Sequence, residues 1–225
     1  GCLLVVGGEP NEADVAALLT IEVAPLVDVA LVTRVDAEHV HALGADHRRV
    51  EPRLEVRVAE ARVVVFALLD GLGTAALERH PDSWLARHCQ GTLNSVFPST
   101  TTSALTTFYT GLAPAAHGLP AWFTWLREAG TVAVPLAHNT RYGHLDLGTA
   151  GVLPGPLYTA APWAEQADRP VATCQPGWLQ GTPYSRHHAT GRHHDLEAPG
   201  ELPGLVGRLA GEPDPRLLQV YWPAF

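Results

Sequence analysis

Val63-Val64-Val65-Phe66-Ala67-Leu68-Leu69 runs directly into Asp70-Gly71-Leu72-Gly73. An unbroken apolar run of this length, with no polar residue on alternate positions, is expected of a parallel strand covered on both faces. The glycine-containing turn ends it. In open α/β sheets the crevice beyond the carboxyl ends of the strands is where ligands bind, which puts Asp70 at a candidate site. A carboxylate followed by glycines that admit close backbone approach suits a divalent cation. An Asp after a strand also commonly caps the next helix, and the residue type alone leaves both readings open.

Outward from this strand the chain reads as alternating elements. Thr74 to His80 predicts a helix stopped by Pro81, and Trp84 to His88 a second one. Ala104 to Tyr109 is helical, ended by Gly111 and Pro114. Val132 to Leu136 is a strand candidate, Leu205 to Leu209 a helix, and Leu217 to Tyr221 the last strand. Between them Pro154, Pro156, Pro162, Pro170 and Pro176 mark a region expected to be loop-rich. Upstream, Leu3 to Val6 and Val29 to Val35 read as strands, with helices expected over Glu12 to Leu19 and after Asp36. The charged stretch Glu51 to Ala61 reads as an exposed strand or linker. This order predicts an α/β fold, a mainly parallel sheet flanked by helices. Residues 1–58 form a β/α segment of unassigned role, and 59–225 the N-terminal part of a catalytic domain.

A second chemical feature is the hydroxyl-rich turn Pro98-Ser99-Thr100-Thr101-Thr102-Ser103. A Thr at a helix start sits beside free N–H groups and the positive end of the helix dipole. There a hydroxyl can attack phosphorus while developing charge on the phosphoryl oxygens is stabilised. The same residue type also serves as a plain N-cap.

The stretch Phe97-Pro98-Ser99-Thr100-Thr101, its helix, Thr110-Gly111-Leu112 and Ala113-Pro114-Ala115-Ala116-His117-Gly118 resemble a known signature. It is that of the type I phosphodiesterase/nucleotide pyrophosphatase family, within the alkaline phosphatase superfamily: an apolar strand ending in Asp-Gly, then Phe-Pro-x-x-Thr, a helix, Thr-Gly-Leu and x-Pro-x-x-His-Gly. The resemblance spans Arg62 to Trp122 and extends more loosely to Phe225. It implies an alkaline-phosphatase-like core and hydrolysis of phosphodiester or pyrophosphate bonds through a phospho-threonine intermediate. Thr101 would be the nucleophile, Asp70 and Thr101 metal ligands, and the cofactors two divalent ions, zinc as a rule. His117 would organise a turn. Many members carry Asn three residues after the nucleophile; here Ala104 stands there, leaving the backbone N–H of Thr102 to meet a phosphoryl oxygen. The family's further ligands are an Asp-x-x-x-His pair after a later strand, an Asp-His pair and another His. The later strand matches Leu217 to Tyr221, so the first of these Asp residues is expected just past Phe225. The chain therefore reads as a truncated member, incomplete at the C-terminus and holding the nucleophile half of the site.

Phosphomonoester or phosphonate hydrolysis within the superfamily, or a non-catalytic binding module, are the alternatives. Sulfate esters are disfavoured, because no Cys/Ser-x-Pro-x-Arg stretch occurs. Trp122 and Trp125 are candidates for an aromatic wall against a nucleotide base or for core packing. His187-His188 and His193-His194-Asp195 read as surface histidines in a polar loop, Ser185 to Pro199, with a substrate or capping role, or a metal site, as the alternatives. His138, His144 and Asp146 read as a solvated loop or a substrate-side rim.

Composition limits the partners. Of the 225 residues 46% are hydrophobic, enough for a substantial core, and the net charge is −8, which disfavours binding to a nucleic-acid duplex. A small phosphate ester or nucleotide remains suitable, since a bound cation can neutralise it locally. Three well-separated cysteines give neither a zinc-knuckle spacing nor a disulfide framework. No apolar run is long enough to span a bilayer, and no leader is visible at Gly1; the reading leans to the cytoplasm.

Overall fold

In the computed structural model, residues 28–30, 63–89, 95–214 and 216–223 are described. A five-stranded, all-parallel sheet forms the centre. It comprises β1 (Asp28–Ala30), β2 (Val63–Leu69), β6 (Val171–Pro176), β7 (Arg192–Leu196) and β8 (Arg216–Trp222), in the order β1-β2-β8-β6-β7. The decisive strand β2 lies second in the sheet, paired residue for residue with β8 from Val63↔Arg216 to Leu69↔Trp222. All seven of its side chains are buried, as its composition requires: both faces are covered, so neither can carry a polar residue.

The two faces of β2 feed two cores. Val63, Val65, Ala67 and Leu69 join Leu218, Val220 and Trp222 beneath three helices: α1 (Thr74–Arg79), α2 (Trp84–His88) and α7 (Leu202–Gly211). Helix α7 shows how sequence sets this layer. Leu202, Leu205, Val206 and Leu209 recur at helical spacing and all turn to the sheet. Val64, Phe66 and Leu68 join Leu217 and Tyr221 on the other face, under α3 (Thr101–Thr110) and α6 (Pro183–His188). There Phe66 stacks on Phe108 of α3 with ring centroids 4.6 Å apart, and the Trp163 indole N–H donates to the Phe108 carbonyl at 2.8 Å. These contacts fix where α3 crosses the sheet.

Helix α3 ends at Gly111 (φ 72°), a left-handed position that suits glycine. The short α4 (Pro114–His117) follows, with Pro at its first turn. A small antiparallel sheet, β3 (Thr124–Leu126), β4 (Thr131–Val134) and β5 (Asn139–Thr140), and the single turn α5 (Pro154–Leu157) lead back to β6.

The architecture is the expected α/β class, with three differences in detail. The loop-rich region contains β6, and Pro170 and Pro176 mark its two ends instead of breaking it. Ser185 to Pro199 is not a loop: it holds the end of α6 and all of β7. Helix α6 has the local cues of a start, Thr182 accepting from the Ser185 N–H at 3.1 Å and Pro183 at N1. Strand β7 reads as polar because it lies at the sheet edge, with Arg192 and Asp195 exposed. The small sheet adds an antiparallel unit to the parallel one. The elements expected at Leu3 to Val6, Glu12 to Leu19, after Asp36 and over Glu51 to Ala61 lie outside the described residues. Of Val29 to Val35, only the start is described, paired in β1 beside Val64 to Phe66.

Candidate active site

Asp70 continues the ladder of β2 by one bond, its N–H donating to the Trp222 carbonyl at 2.8 Å. Gly71 then turns the chain at φ 86°, a conformation other residues resist. Asp70 lies two positions past Leu68, so strand alternation aims it at the α3 side of the sheet. On that side Thr101 opens α3. Its hydroxyl donates to Asp70 Oδ2 at 2.6 Å.

The geometry removes one of the readings that residue type left open, that of a helix cap. The N-cap of α3 is Thr100, whose side chain accepts from the Ser103 N–H at 3.4 Å while its own N–H reaches the Pro98 carbonyl at 3.1 Å. The Thr101 hydroxyl is thereby released from capping. Likewise α1 begins at Gly73 with no side-chain cap, so Asp70 does not cap it. What holds Asp70 is the Thr101 hydroxyl and the Gly71 backbone. Burial raises its carboxyl above the ordinary value of 3.8, and those two hydrogen bonds pull the other way. The pair is an anionic oxygen and a hydroxyl oxygen side by side at the carboxyl end of the sheet, beside the amino end of a ten-residue helix.

The neighbours of the pair divide by side. Thr102 is fully buried with its hydroxyl turned into the protein, so what it offers the crevice is its backbone N–H, which has no partner within the first turn of a helix. Ala104 offers no donor. His117 is buried behind α3: its Nδ1 accepts from the Leu119 N–H at 3.1 Å, which leaves Nε2 to donate to Thr107 Oγ1 at 3.1 Å. Burial lowers His117 to about 4, so the ring is neutral and ties α4 to α3 as a turn organiser. Trp122 is half-buried against the α3-side core, and Trp125 is exposed on β3.

Several histidines sit differently from expectation. His188 is not at the surface: it is fully buried, its Nδ1 donating to the Tyr184 carbonyl at 3.1 Å, and burial pushes it down to about 3. It lies inside because the sheet-facing side of α6 carries it there with Tyr184 and Ser185. His187, partly exposed, is turned to the Ala160 carbonyl at 3.2 Å. His138 is also buried, 2.8 Å from the Tyr158 hydroxyl, and so is no part of a solvated rim. His144 is exposed, while Asp146 accepts from the Thr149 N–H at 3.1 Å in a tight turn. His193 and His194 lie on β7 beside Thr173 and Cys174. Among the described residues no three His, Cys, Asp or Glu side chains gather as a metal ion would need.

Sequence reading missed what holds α3 in place. The Tyr109 hydroxyl donates to Gln175 Oε1 at 3.0 Å, Gln175 in turn donates to the Ser185 hydroxyl, and Thr106 meets the Tyr184 hydroxyl at 3.1 Å. The signal for it was Gln175 near the end of the mostly apolar segment Val171 to Pro176.

A parallel α/β sheet with an Asp–Thr oxygen pair at the carboxyl ends of its strands defines the general class, an open α/β fold, and folds of this class bind ligands beyond those ends. The family is given by comparison with known proteins: the profile of the type I phosphodiesterase / nucleotide pyrophosphatase family matches residues 64–189. The chain belongs to that family. No curated protein and no solved structure matches it. Membership implies a hydrolase of the phosphodiesterase/nucleotide pyrophosphatase type acting on a phosphate ester or nucleotide, in a family that generally depends on divalent metal. Among the described residues no helix is long and apolar enough to cross a membrane.

Proposed function

We propose that the protein hydrolyses phosphodiester or pyrophosphate bonds with Thr101 as nucleophile. The observation that carries this is the 2.6 Å hydrogen bond from Thr101 to Asp70 in a helix already capped by Thr100. The Thr101 hydroxyl does no capping, and its hydrogen bond goes instead to a carboxylate at the carboxyl end of the sheet, where ligands bind in folds of this kind. The bond orients it, with its proton directed at Asp70 Oδ2 and its lone pairs turned away from the carboxylate.

Attack by Thr101 Oγ1 forms an oxygen–phosphorus bond and breaks the one to the leaving group, giving phospho-threonine; the hydroxyl proton is released and the leaving oxygen takes one up. Water then breaks the new bond and restores the hydroxyl. Through both displacements the amino end of α3, with the Thr102 N–H, faces the phosphoryl oxygens and stabilises their charge. Trp122 is the aromatic surface we assign to the organic part of the substrate.

Asp70 and Thr101 would hold a divalent metal ion. These two oxygens fit part of a coordination sphere: a carboxylate raised by burial is one that a cation would relieve, and zinc or a harder ion accepts oxygen ligands. Such an ion supplies Lewis-acid polarisation of the hydroxyl and counter-charge for phosphate. The test is Thr101→Ala in the intact protein. Turnover of bis-p-nitrophenyl phosphate should vanish at unchanged melting temperature, with Thr101→Ser retaining part of it; full activity in the Ala variant ends the proposal.

A further inference from the structure

The α3-side face of the central sheet carries polar side chains where a core would ordinarily be apolar. Gln219 lies in the middle of β8, between Leu217 and Tyr221, which pack in the α3-side core. It is fully buried, and both its Oε1 and its Nε2 lack a protein partner. The register places Thr173 of β6 directly beside it. The Thr173 hydroxyl donates to the Thr190 carbonyl at 2.7 Å, which brings the segment after α6 over the same strands. Four further buried atoms in this layer have no protein partner: Thr190 Oγ1, His188 Nε2, the Tyr221 hydroxyl and Nδ1 of His193, which the register places beside Thr173. Tyr221 pairs with Leu68, two residues before Asp70, and the Asp70 charge is among those its phenol feels. The layer thus runs from the end of α6 to beneath the Asp70–Thr101 pair.

Leaving such groups dry is costly. Each buried donor or acceptor without a partner loses its hydration and gains nothing in return. The set has a definite character. Gln219 Nε2, Tyr221 and Thr190 can donate. Gln219 Oε1 accepts, and so does His188 Nε2, because the Nδ1 proton is committed to the Tyr184 carbonyl. No member is a carboxylate or an ammonium, so nothing here selects an ion. Mixed neutral donors and acceptors that no side chain satisfies are what buried water molecules bridge, each making about three hydrogen bonds.

We propose that this seam between β8 and α6 is a binding site for ordered internal water, with Gln219 as its principal contact. The site is independent of the catalytic assignment, since neither Asp70 nor Thr101 contributes to it. The experiment is water ¹⁷O magnetic relaxation dispersion on the full chain and on Gln219→Leu, a substitution of similar size that removes both polar atoms. The wild type should show a contribution from long-lived internal water, and the variant should lose the equivalent of at least one molecule and melt lower. Equal dispersion amplitudes in the two folded proteins would overturn the proposal, and a rise in melting temperature alongside them would mark the amide as dry. Should Gln219→Leu fail to fold, Tyr221→Phe is compared in the same way, under the same criterion.

Discussion

Thr100 and Thr101 are chemically alike and adjacent, yet the fold gives them different work. Thr100 accepts from the Ser103 N–H and closes the helix end; Thr101 donates to Asp70. This division predicts opposite phenotypes. Thr100→Ala removes a cap and should destabilise the protein by about 1 kcal/mol, with turnover persisting in the folded fraction. Asp70→Asn keeps an acceptor for the Thr101 hydroxyl and removes a carboxylate whose burial already disfavours its charge. Its unfolding free energy should stay within about 1 kcal/mol of wild type, whereas phosphodiesterase turnover should be lost with the anionic oxygen. Urea titration and a bis-p-nitrophenyl phosphate assay on both variants read the contrast. Loss of stability in Asp70→Asn with activity intact would make Asp70 a structural residue and not a catalytic one.

Among the elements, those legible in the sequence are the ones whose environment is uniform. Strand β2 is buried on both faces and looks it; α7 has one apolar stripe at helical spacing. The Asp70–Thr101 pair was legible too, because a motif contiguous in sequence carries Thr101 and the strand end before it carries Asp70. What failed was whatever depends on distant contacts. Strand β7 is Arg-His-His-Asp-Leu, polar by virtue of its edge position, and β6 carries Thr173 and Gln175 because they meet hydroxyl and carbonyl partners across the layer. No local pattern separates a histidine like His188, carried inside by α6, from one in a surface loop. Helix α3 itself rests on such a contact. Tyr109→Phe removes the donor to Gln175 and leaves a fully buried carbonyl oxygen without a partner. The expected cost is about 1–3 kcal/mol, read as a lower urea midpoint at unchanged slope. A neutral effect would show that the Tyr109–Gln175 bond does not anchor the helix.

At the scale of the molecule, two buried neutral histidines flank α3: His117 from α4 and His188 from α6. Burial is the leading cause of both depressed values, about 4 and about 3, and in His188 the neighbouring His187 adds to it. The sign of the consequence follows from linkage. Between those values and the ordinary histidine value of about 6.5, the unfolded chain binds protons that the folded one refuses. Stability then rises with pH across that window. It is fully present above about 6.5 and drains as pH falls toward 4, at a slope approaching about 1.4 kcal/mol per pH unit for each ring. His138, also lowered by burial, acts in the same sense. Asp70, raised by burial, acts in the opposite sense above its ordinary value of 3.8. The protein should therefore unfold at a markedly lower urea concentration at pH 5 than at pH 7.5, with little change between 7.5 and 8.5. The part due to His188 can be isolated with His188→Gln, which keeps a polar group on α6 but cannot take up the proton. Its midpoint should fall less steeply between pH 6.5 and 5 than that of wild type, and parallel curves would remove His188 from the acid response.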